Sequence, residues 1–146
     1  MRQKRWVEED PFNLQRFVDA QERAFSGALD EISRGAKRGH WMWFIFPQLR
    51  GLGRSEMALH FGIGSLDEAR AFLAHPVLGP HLRECVSVLQ GLASRTASDV
   101  FGEVDAMKLK SSLTLFARAD GGPLFEDALS RWFGEEDVRT LDLLGL

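Results

Sequence analysis

The sequence has few of the features that mark specialised classes of protein. It contains one cysteine, Cys85, among 146 residues, which excludes an internal disulfide and fits either a reducing cytoplasm or a fold that needs no covalent staple. Acidic and basic residues nearly balance, with a formal net charge of −3, so general nucleic-acid binding is not expected. The longest apolar run, Trp41 to Phe46, is far shorter than the ~20 residues that cross a bilayer.

Signals for export and for metal binding are also not recognised in the sequence. The basic residues near the N-terminus are not followed by an apolar stretch, so a cytoplasmic location is expected. The histidines show no ligand spacing, which predicts no metal site, and no cofactor is expected. Tyrosine is absent, which excludes a phenol from any mechanism. We expect residues 1–9 to be a polar lead-in and residues 10–146 to form one domain.

The pattern of apolar residues predicts the fold class. They recur every three or four positions along most of the chain, a spacing typical of amphipathic helices. The first helix is predicted to start at Asp10-Pro11, with Asn13 as a rival cap, and Ser65 with Glu68 has the spacing of a capping box. Further helix starts are predicted at Ser55, Val77, Asp105, Pro123 and Asp137, with a short piece capped by Thr96 or Ser98. The sequence therefore predicts an all-α single compact domain of about seven short, irregularly packed helices.

The densest apolar segment, Trp41 to Phe46, lies between His40 and a Gly-Leu-Gly turn. Its periodicity does not separate a buried strand from a short helix, and Pro47 limits it because the residue before a proline avoids the helical region. With no second convincing strand to pair with, we expect a short helical or irregular buried segment. Within it, residues 44–46 are predicted to be core, while one tryptophan can line a pocket.

The turn that follows, Gly51-Leu52-Gly53-Arg54-Ser55, leads into a predicted helix and is a candidate anion site. Its glycines permit close backbone approach to a ligand, a helix N-terminus offers unpaired N–H groups, and the guanidinium of Arg54 suits phosphate or carboxylate. The alternative is an ordinary helix start capped by Ser55. The turn is not a Walker A loop, because no Gly-Lys-Ser/Thr follows it.

The helix predicted from Asp105 carries the second candidate site. At helical spacing, Asp105, Lys108 and Ser112 share one face and Ser111 flanks it, so two hydroxyls and a lysine can hold an oxyanion. Ser112 is also a candidate nucleophile activated by Lys108, four residues away. The alternative gives Asp105 the role of an N-cap and Lys108 that of a solvated ion-pair partner.

Four further residues are candidates because of their chemistry and position. His40 can act as a general acid or base near neutral pH, and Trp41 and Trp43 can stack on a planar group. Gln21 is a polar residue on the buried stripe of the first helix, where it is either a satisfied core amide or a ligand contact. For His40 and the tryptophans, the alternative is ordinary packing in the core.

These residues together predict a site for an anionic, partly planar ligand, with a nucleotide- or NAD-derived molecule as the favoured class. The catalytic candidates are His40, Lys108 and Ser112, and whether the ligand is turned over, by hydrolysis or group transfer, is left open. The ligand-binding candidates are Gln21, Trp41, Trp43, Gln48, Gly51, Gly53, Arg54, Ser55, Asp105 and Ser111. The alternative is a non-enzymatic protein-interaction module in which the aromatic segment is purely structural.

Several sequence blocks resemble a known family. They include Asp10-Pro11-Phe12-Asn13-Leu14, His40-Trp41-Met42-Trp43-Phe44-Ile45-Phe46-Pro47-Gln48-Leu49 and Met107-Lys108-Leu109-x-Ser111-Ser112. These blocks look like those of the bacterial and fungal family catalogued as domain of unknown function eighteen-ten, and the resemblance covers nearly the whole chain from about Asp10. It implies a mainly helical fold. It implies no established activity, so no residue inherits a role from it.

Overall fold

The computed structural model describes residues 10–146, and the regular structure in that range is helical. The helices are α1 Gln15–Arg34, α2 Met42–Ile45, α3 Glu56–Phe61, α4 Leu66–Ala74, α5 Leu78–Gln90, α6 Ala97–Phe101, α7 Glu103–Arg118, α8 Pro123–Trp132 and α9 Val138–Leu144. The prediction of a helical single domain is confirmed. Residues 10–146 contain nine helices rather than about seven, because two segments expected to be irregular or very short, α2 and α6, each complete a helical turn. The predicted lead-in, residues 1–9, lies outside the described residues.

The start of α1 differs from the prediction by a few residues. The carbonyl of Asp10 accepts a hydrogen bond from the N–H of Asn13 at 3.1 Å, which closes a turn with Pro11 at the position that its fixed φ favours. The carboxylate of Asp10 then accepts from the N–H groups of Leu14 at 2.7 Å and Gln15 at 3.1 Å. The predicted start at Asp10-Pro11 is therefore wrong: the N-cap position is Leu14, which has no capping side chain, and the helix begins only at Gln15.

Arg16, on the first turn of α1, joins four segments of the chain. Its five N–H donors, the full complement of a guanidinium, are all engaged. They bind the carbonyls of Phe12, Asn13, His60 and Gly62 and the carboxylate of Glu68. Because its side chain is only 8% exposed and that of Glu68 7%, this is a buried and satisfied ion pair. It fixes the N-terminal turn and α1 against the end of α3 and the start of α4.

The same arginine explains why the predicted capping box of α4 is only half formed. The hydroxyl of Ser65 accepts from the N–H of Glu68 at 3.1 Å, as expected. The carboxylate of Glu68 does not return to the N–H of Ser65. It accepts instead from the N–H of Gly64 at 2.9 Å and from Arg16 at 2.8 Å.

A row of phenylalanine rings runs through the core and links four helices. The ring of Phe17 on α1 lies 5.1 Å from that of Phe72 on α4, with the two rings edge to face. Phe72 lies 5.2 Å from Phe116 on α7, which in turn lies 6.1 Å from Phe125 on α8. All four side chains are buried. Such pairs add about 0.5–1.5 kcal/mol each beyond the area that they bury.

The aromatic segment of residues 41–46 packs against this core as α2. Every residue in it is buried except Trp43, which is half-buried. This confirms the prediction that residues 44–46 are core, and of the two predicted alternatives, short helical or irregular, the segment is helical. Beyond Pro47 the chain makes an isolated parallel bridge between Leu49 and Ile63, which fixes the Gly-Leu-Gly turn beside α3.

We expect Arg16→Met to lower the free energy of unfolding by about 3–5 kcal/mol, because it leaves the buried carboxylate of Glu68 without its partner. Urea denaturation measures the loss. Arg23→Met is the matched control, since Arg23 is exposed on the same helix and its removal is expected to cost no more than about 0.5 kcal/mol. Equal effects of the two substitutions would contradict the role of Arg16 as a structural anchor.

Candidate functional site

Glu31, near the end of α1, anchors residues 36–39, the connector that leads into the aromatic segment. One oxygen of its carboxylate accepts three hydrogen bonds, from the N–H groups of Arg38 at 2.8 Å and Gly39 at 2.9 Å and from the indole of Trp41 at 2.9 Å. Burial pushes the pKa of Glu31 upward, but these hydrogen bonds and the nearby charge of Lys37 outweigh it, and the pKa lies below its ordinary value. The carboxylate stays charged at neutral pH and holds the connector in place.

Lys37, in the same connector, is turned inward. Its ammonium lies 2.8 Å from the carboxylate of Asp105 on α7 and 4.8 Å from the ring centre of Trp41, and it also donates to the carbonyl of Gly39. The Lys37 side chain is only 7% exposed. A charge this buried needs a partner, and Asp105 supplies it, so Lys37 ties the connector to α7.

Lys108 shares the same carboxylate but is held less firmly. Its ammonium lies 3.6 Å from the other oxygen of Asp105 and 4.9 Å from the ring centre of Trp43. The Lys108 side chain is 23% exposed. Each of two lysines thus lies over the face of a tryptophan, with one carboxylate between them. We call Lys37, Trp41, Trp43, Asp105 and Lys108 the lysine–tryptophan cluster.

The structure therefore brings together Trp41, Trp43, Asp105 and Lys108, four residues that the sequence singled out separately. Trp43 also borders Gln48 and Gly53 in a depression of about 10 Å³. That volume is at or below what a single water needs. A ligand at this cluster therefore has to lie on the surface of the protein, against the exposed part of Trp43.

The Gly51–Ser55 turn has an ordinary structural explanation beside the predicted anion site. The hydroxyl of Ser55 accepts from the N–H of Ala58 at 3.1 Å and caps α3. Gly51 has a φ of 109°, a conformation that favours glycine, and a Cβ added at Gly53 would lie 2.8 Å from the Cβ of Ala58. Arg54 is exposed. An anion at this turn stays a prediction.

The two serines of α7 are both buried. The hydroxyl of Ser111 lies 3.1 Å from the carbonyl of Met107 and 3.2 Å from the carboxylate of Asp137. Ser112 is only 1% exposed, and its hydroxyl has no hydrogen-bond partner among residues 10–146. A substrate cannot reach Ser112 in this conformation, and the ammonium of Lys108 is paired with Asp105, whereas a base for Ser112 has to be a neutral amine. A Ser112–Lys108 nucleophile stays a prediction that would need a rearrangement of α7.

The buried amide of Gln21 links the aromatic segment to His81 through two hydrogen bonds. Its amide nitrogen donates to the carbonyl of Phe44 at 2.7 Å, and its oxygen lies 2.7 Å from Nδ1 of His81. Since that oxygen can only accept, Nδ1 of His81 carries the proton. The ring of Phe25 stacks on His81 at 3.6 Å. Both ends of the Gln21 amide are thus satisfied, which supports a core role over a ligand contact.

Burial lowers the pKa of His81, and the charge of Glu84 opposes this shift only in part. Burial also raises the pKa of the Cys85 thiol to about 12, assisted by Glu84, so the thiol is protonated and inert at neutral pH. His40 is exposed next to Trp41, and a role as acid or base stays a prediction. Within residues 10–146, no group of acidic, histidine or cysteine side chains is arranged to hold a metal ion.

The predicted site residues did not include three that lie in the candidate site or support it, namely Arg16, Glu31 and Lys37. Lys37 lies in a basic connector flanked by glycines, which is usually solvated, and its partner Asp105 is distant in sequence. The one available signal was a lysine four residues before a tryptophan, which is too common to interpret alone.

Among residues 10–146, no helix has the length and apolar character to span a membrane.

Comparison with known proteins identifies the family of the chain but assigns it no activity. The family model described as protein of unknown function (DUF1810) matches residues 11–144, so the chain belongs to that family. The crystal structure of the conserved hypothetical protein Rv1873 from Mycobacterium tuberculosis is similar, with 49% sequence identity and a TM-score of 0.91. The match covers 94% of this chain and 99% of that one. No curated protein matches the chain.

We expect Asp105→Asn to lower the free energy of unfolding by about 1.5–3 kcal/mol, the range for hydrogen bonds to charged groups. The reason is that Lys37 would remain charged and buried without its partner. Asp30→Asn is the control, because its ion pair with Arg34 is fully on the surface and contributes about 0.3–0.5 kcal/mol at most. Chemical denaturation of both variants at pH 7 measures the difference, and an equal loss would contradict the structural role of Asp105.

The lowered pKa of His81 makes stability depend on pH. Because the pKa of His81 has its ordinary value of about 6.5 in the unfolded chain and a lower value in the folded state, the unfolded state binds more protons once the pH falls below about 6.5. The contribution of His81 is therefore fully present above that pH and is lost as the pH falls through the folded pKa.

We expect His81→Asn, which can still donate to Gln21, to lose stability less steeply between pH 7 and pH 5 than the natural protein. Urea denaturation at several pH values measures both slopes. Identical slopes would contradict a protonation penalty at His81.

Proposed function

We propose that this protein, as a member of a family to which no activity is assigned, binds a small anionic ligand with a planar group at the lysine–tryptophan cluster. A nucleotide or an NAD-derived molecule is the class that we favour. The observation that carries the proposal is the position of Lys108, a partly exposed ammonium over the face of a half-buried tryptophan. A cation and an aromatic surface side by side suit a ligand with one charged and one planar part.

The two lysines differ in what they can offer a ligand. Lys37 is 7% exposed and is bound to Asp105, to a carbonyl and to the face of Trp41. Lys108 is 23% exposed and has only one long ion pair, at 3.6 Å. Its ammonium has three donors, so it retains capacity for an anion while Lys37 is occupied with structure. We therefore assign the anion contact to Lys108 and a supporting role to Lys37.

The surroundings of Trp43 support the planar part of the ligand. Gln48 and Gly53 border the indole, and Gly53 belongs to the turn that carries the exposed Arg54. The amide of Gln48 can bond a polar edge of a ring, while Arg54 can contact a second anionic group. Stacking of an aromatic side chain on a base contributes about 1–3 kcal/mol per base.

The geometry favours binding over turnover. Ser112 is buried and Lys108 is paired, so neither is ready for nucleophilic catalysis in this conformation. If the ligand is turned over, we infer hydrolysis or group transfer at a phosphate- or ribose-bearing centre. His40, which is exposed beside Trp41, would then be the candidate acid or base.

A specific observation also supports the second candidate function, a non-enzymatic interaction module. Val104 and Met107 lie three residues apart on α7 and are 69% and 66% exposed. Met107 borders a groove of about 480 Å³ that Trp132 and Phe133 also line. Exposed apolar side chains beside an aromatic groove are typical of a protein-docking surface.

Isothermal titration calorimetry with AMP, ADP, NAD and ADP-ribose tests the binding proposal. We expect Lys108→Met to weaken binding by about 10- to 100-fold, since a hydrogen bond to a charged group contributes about 1.5–3 kcal/mol. Lys110→Met is the matched control. Lys110 lies on the same helix, is 21% exposed and also pairs with a carboxylate, that of Glu135, so its loss should leave affinity unchanged.

Two outcomes would contradict the proposal. The first is that none of these ligands binds, which would leave the interaction module as the better candidate. The second is that one binds but Lys108→Met and Lys110→Met weaken it equally, which would show a general effect of charge. Unfolding curves of both variants should show that each remains folded.

A further inference from the structure

A cleft of about 430 Å³ lies between the Asp10–Asn13 turn and the end of α3. None of the residues of the lysine–tryptophan cluster lines it. Its wall includes three basic side chains, Arg16, Arg50 and His60, and a single acidic one, Glu68. We propose that this cleft is a binding site for a phosphoryl group, distinct from the lysine–tryptophan cluster. Arg50 and His60 provide the contacts, while Arg16 and Glu68 form the rigid floor.

The floor of the cleft is close to neutral. Arg16 and Glu68 form an ion pair at 2.8 Å, and the other carboxylate oxygen of Glu68 accepts from the N–H of Gly64 at 2.9 Å. All the donors of Arg16 are used within the protein. The acid therefore does not repel an incoming anion strongly, and the net charge of the cleft comes from Arg50.

Arg50 is held by its backbone N–H and by one guanidinium nitrogen. The other donors of its guanidinium make no hydrogen bond within residues 10–146. The backbone N–H of Arg50 donates to the carbonyl of Ile63 at 2.7 Å, and Nη2 donates to the carbonyl of Gly62 at 2.9 Å. Among residues 10–146, that is its one side-chain hydrogen bond, and it forms no ion pair there. A guanidinium that is oriented but not saturated is suited to bind two oxygens of a phosphoryl group.

His60 completes the basic side of the cleft. It lies in the last turn of α3, its ring stands edge-on to Phe61 at 4.6 Å, and it is exposed. Within the described residues its ring nitrogens make no hydrogen bond, while its carbonyl is bound by Arg16. The imidazole thus lies against one aromatic ring and has a donor to offer a third phosphoryl oxygen.

The end of a helix ordinarily repels an anion, because its carbonyls carry partial negative charge. Here α3 has six residues, and two carbonyls at its end are already bound by guanidinium groups. That of His60 accepts from Arg16, and that of Gly62, just after the helix, accepts from both Arg16 and Arg50. The partial negative charge at the end of α3 is therefore offset in part before any ligand arrives.

Titration of the full-length protein with inorganic phosphate and with glycerol 3-phosphate, at constant ionic strength, tests the site. We expect both to bind, and we expect Arg50→Gln and His60→Gln each to weaken binding, the former by about tenfold or more. Arg139→Gln removes an exposed arginine of α9 and should leave affinity unchanged. Tighter binding of the ester would support a phosphorylated metabolite as ligand, and equal binding would support the free ion.

Lys108→Met separates this proposal from the previous one. We expect it to leave phosphate binding intact, because Lys108 does not line the cleft. Loss of phosphate binding in Lys108→Met would place the anion at the lysine–tryptophan cluster and overturn the second site. No binding up to ~10 mM phosphate, a concentration at which even a weak site is filled, would overturn it too. So would unchanged affinity in both Arg50→Gln and His60→Gln, provided that unfolding curves show the variants to be folded.

Discussion

The arrangement of this domain depends most on the two ion pairs that the carboxylate of Asp105 forms. The carboxylate faces two ammonium groups, one nearly buried and one partly exposed, and each ammonium lies over a different tryptophan of the aromatic segment. A buried lysine without a counterion would cost several kcal/mol. Asp105 therefore determines where α7 lies relative to the connector. It thereby also determines where Trp41 and Trp43 lie relative to α7 and to the connector.

Because of these contacts, the aromatic segment has a buried side and a partly exposed side. Glu31 binds the indole of Trp41 and the connector before it, so Trp41 is fixed inside. The backbone of Phe44 is bound by Gln21 from α1, which fixes the opposite side. Trp43 alone in the segment remains partly open, with Lys108 over its ring. Cation–π contacts of this kind contribute about 0.5–2 kcal/mol each, so the two tryptophans serve the fold, and Trp43 also provides a surface.

Local patterns in the sequence predict what depends on neighbouring residues. The helical stripes, the caps at Ser55 and Asp137 and the burial of residues 44–46 all follow from short-range spacing and are found in the structure. The structure differs where a distant side chain competes for a partner. The carboxylate of Glu68 does not complete its capping box because it binds Arg16 of α1. The side chain of Lys37 points inward because it pairs with Asp105 of α7.

The site was predictable in the same partial sense. Trp41, Trp43, Asp105 and Lys108 were each identifiable as unusual, but their meeting depends on contacts between side chains that are distant in sequence, such as that of Lys108 on α7 with Trp43 on α2, which no local period encodes. The two serines illustrate the converse, since helical spacing places Ser112 beside Lys108 and packing buries it. Family membership adds a fold and no activity.

The proposal that Trp43 and Lys108 bind an anionic ligand with a planar group is tested most directly by nuclear magnetic resonance of the tryptophan indole N–H groups. The protein has four tryptophans, and Trp43→Phe assigns the signal of interest. During titration with ADP-ribose, the account predicts that the Trp43 signal shifts and saturates while that of Trp132 stays in place. A Trp43 signal that does not move, or that moves only together with Trp132, would contradict it.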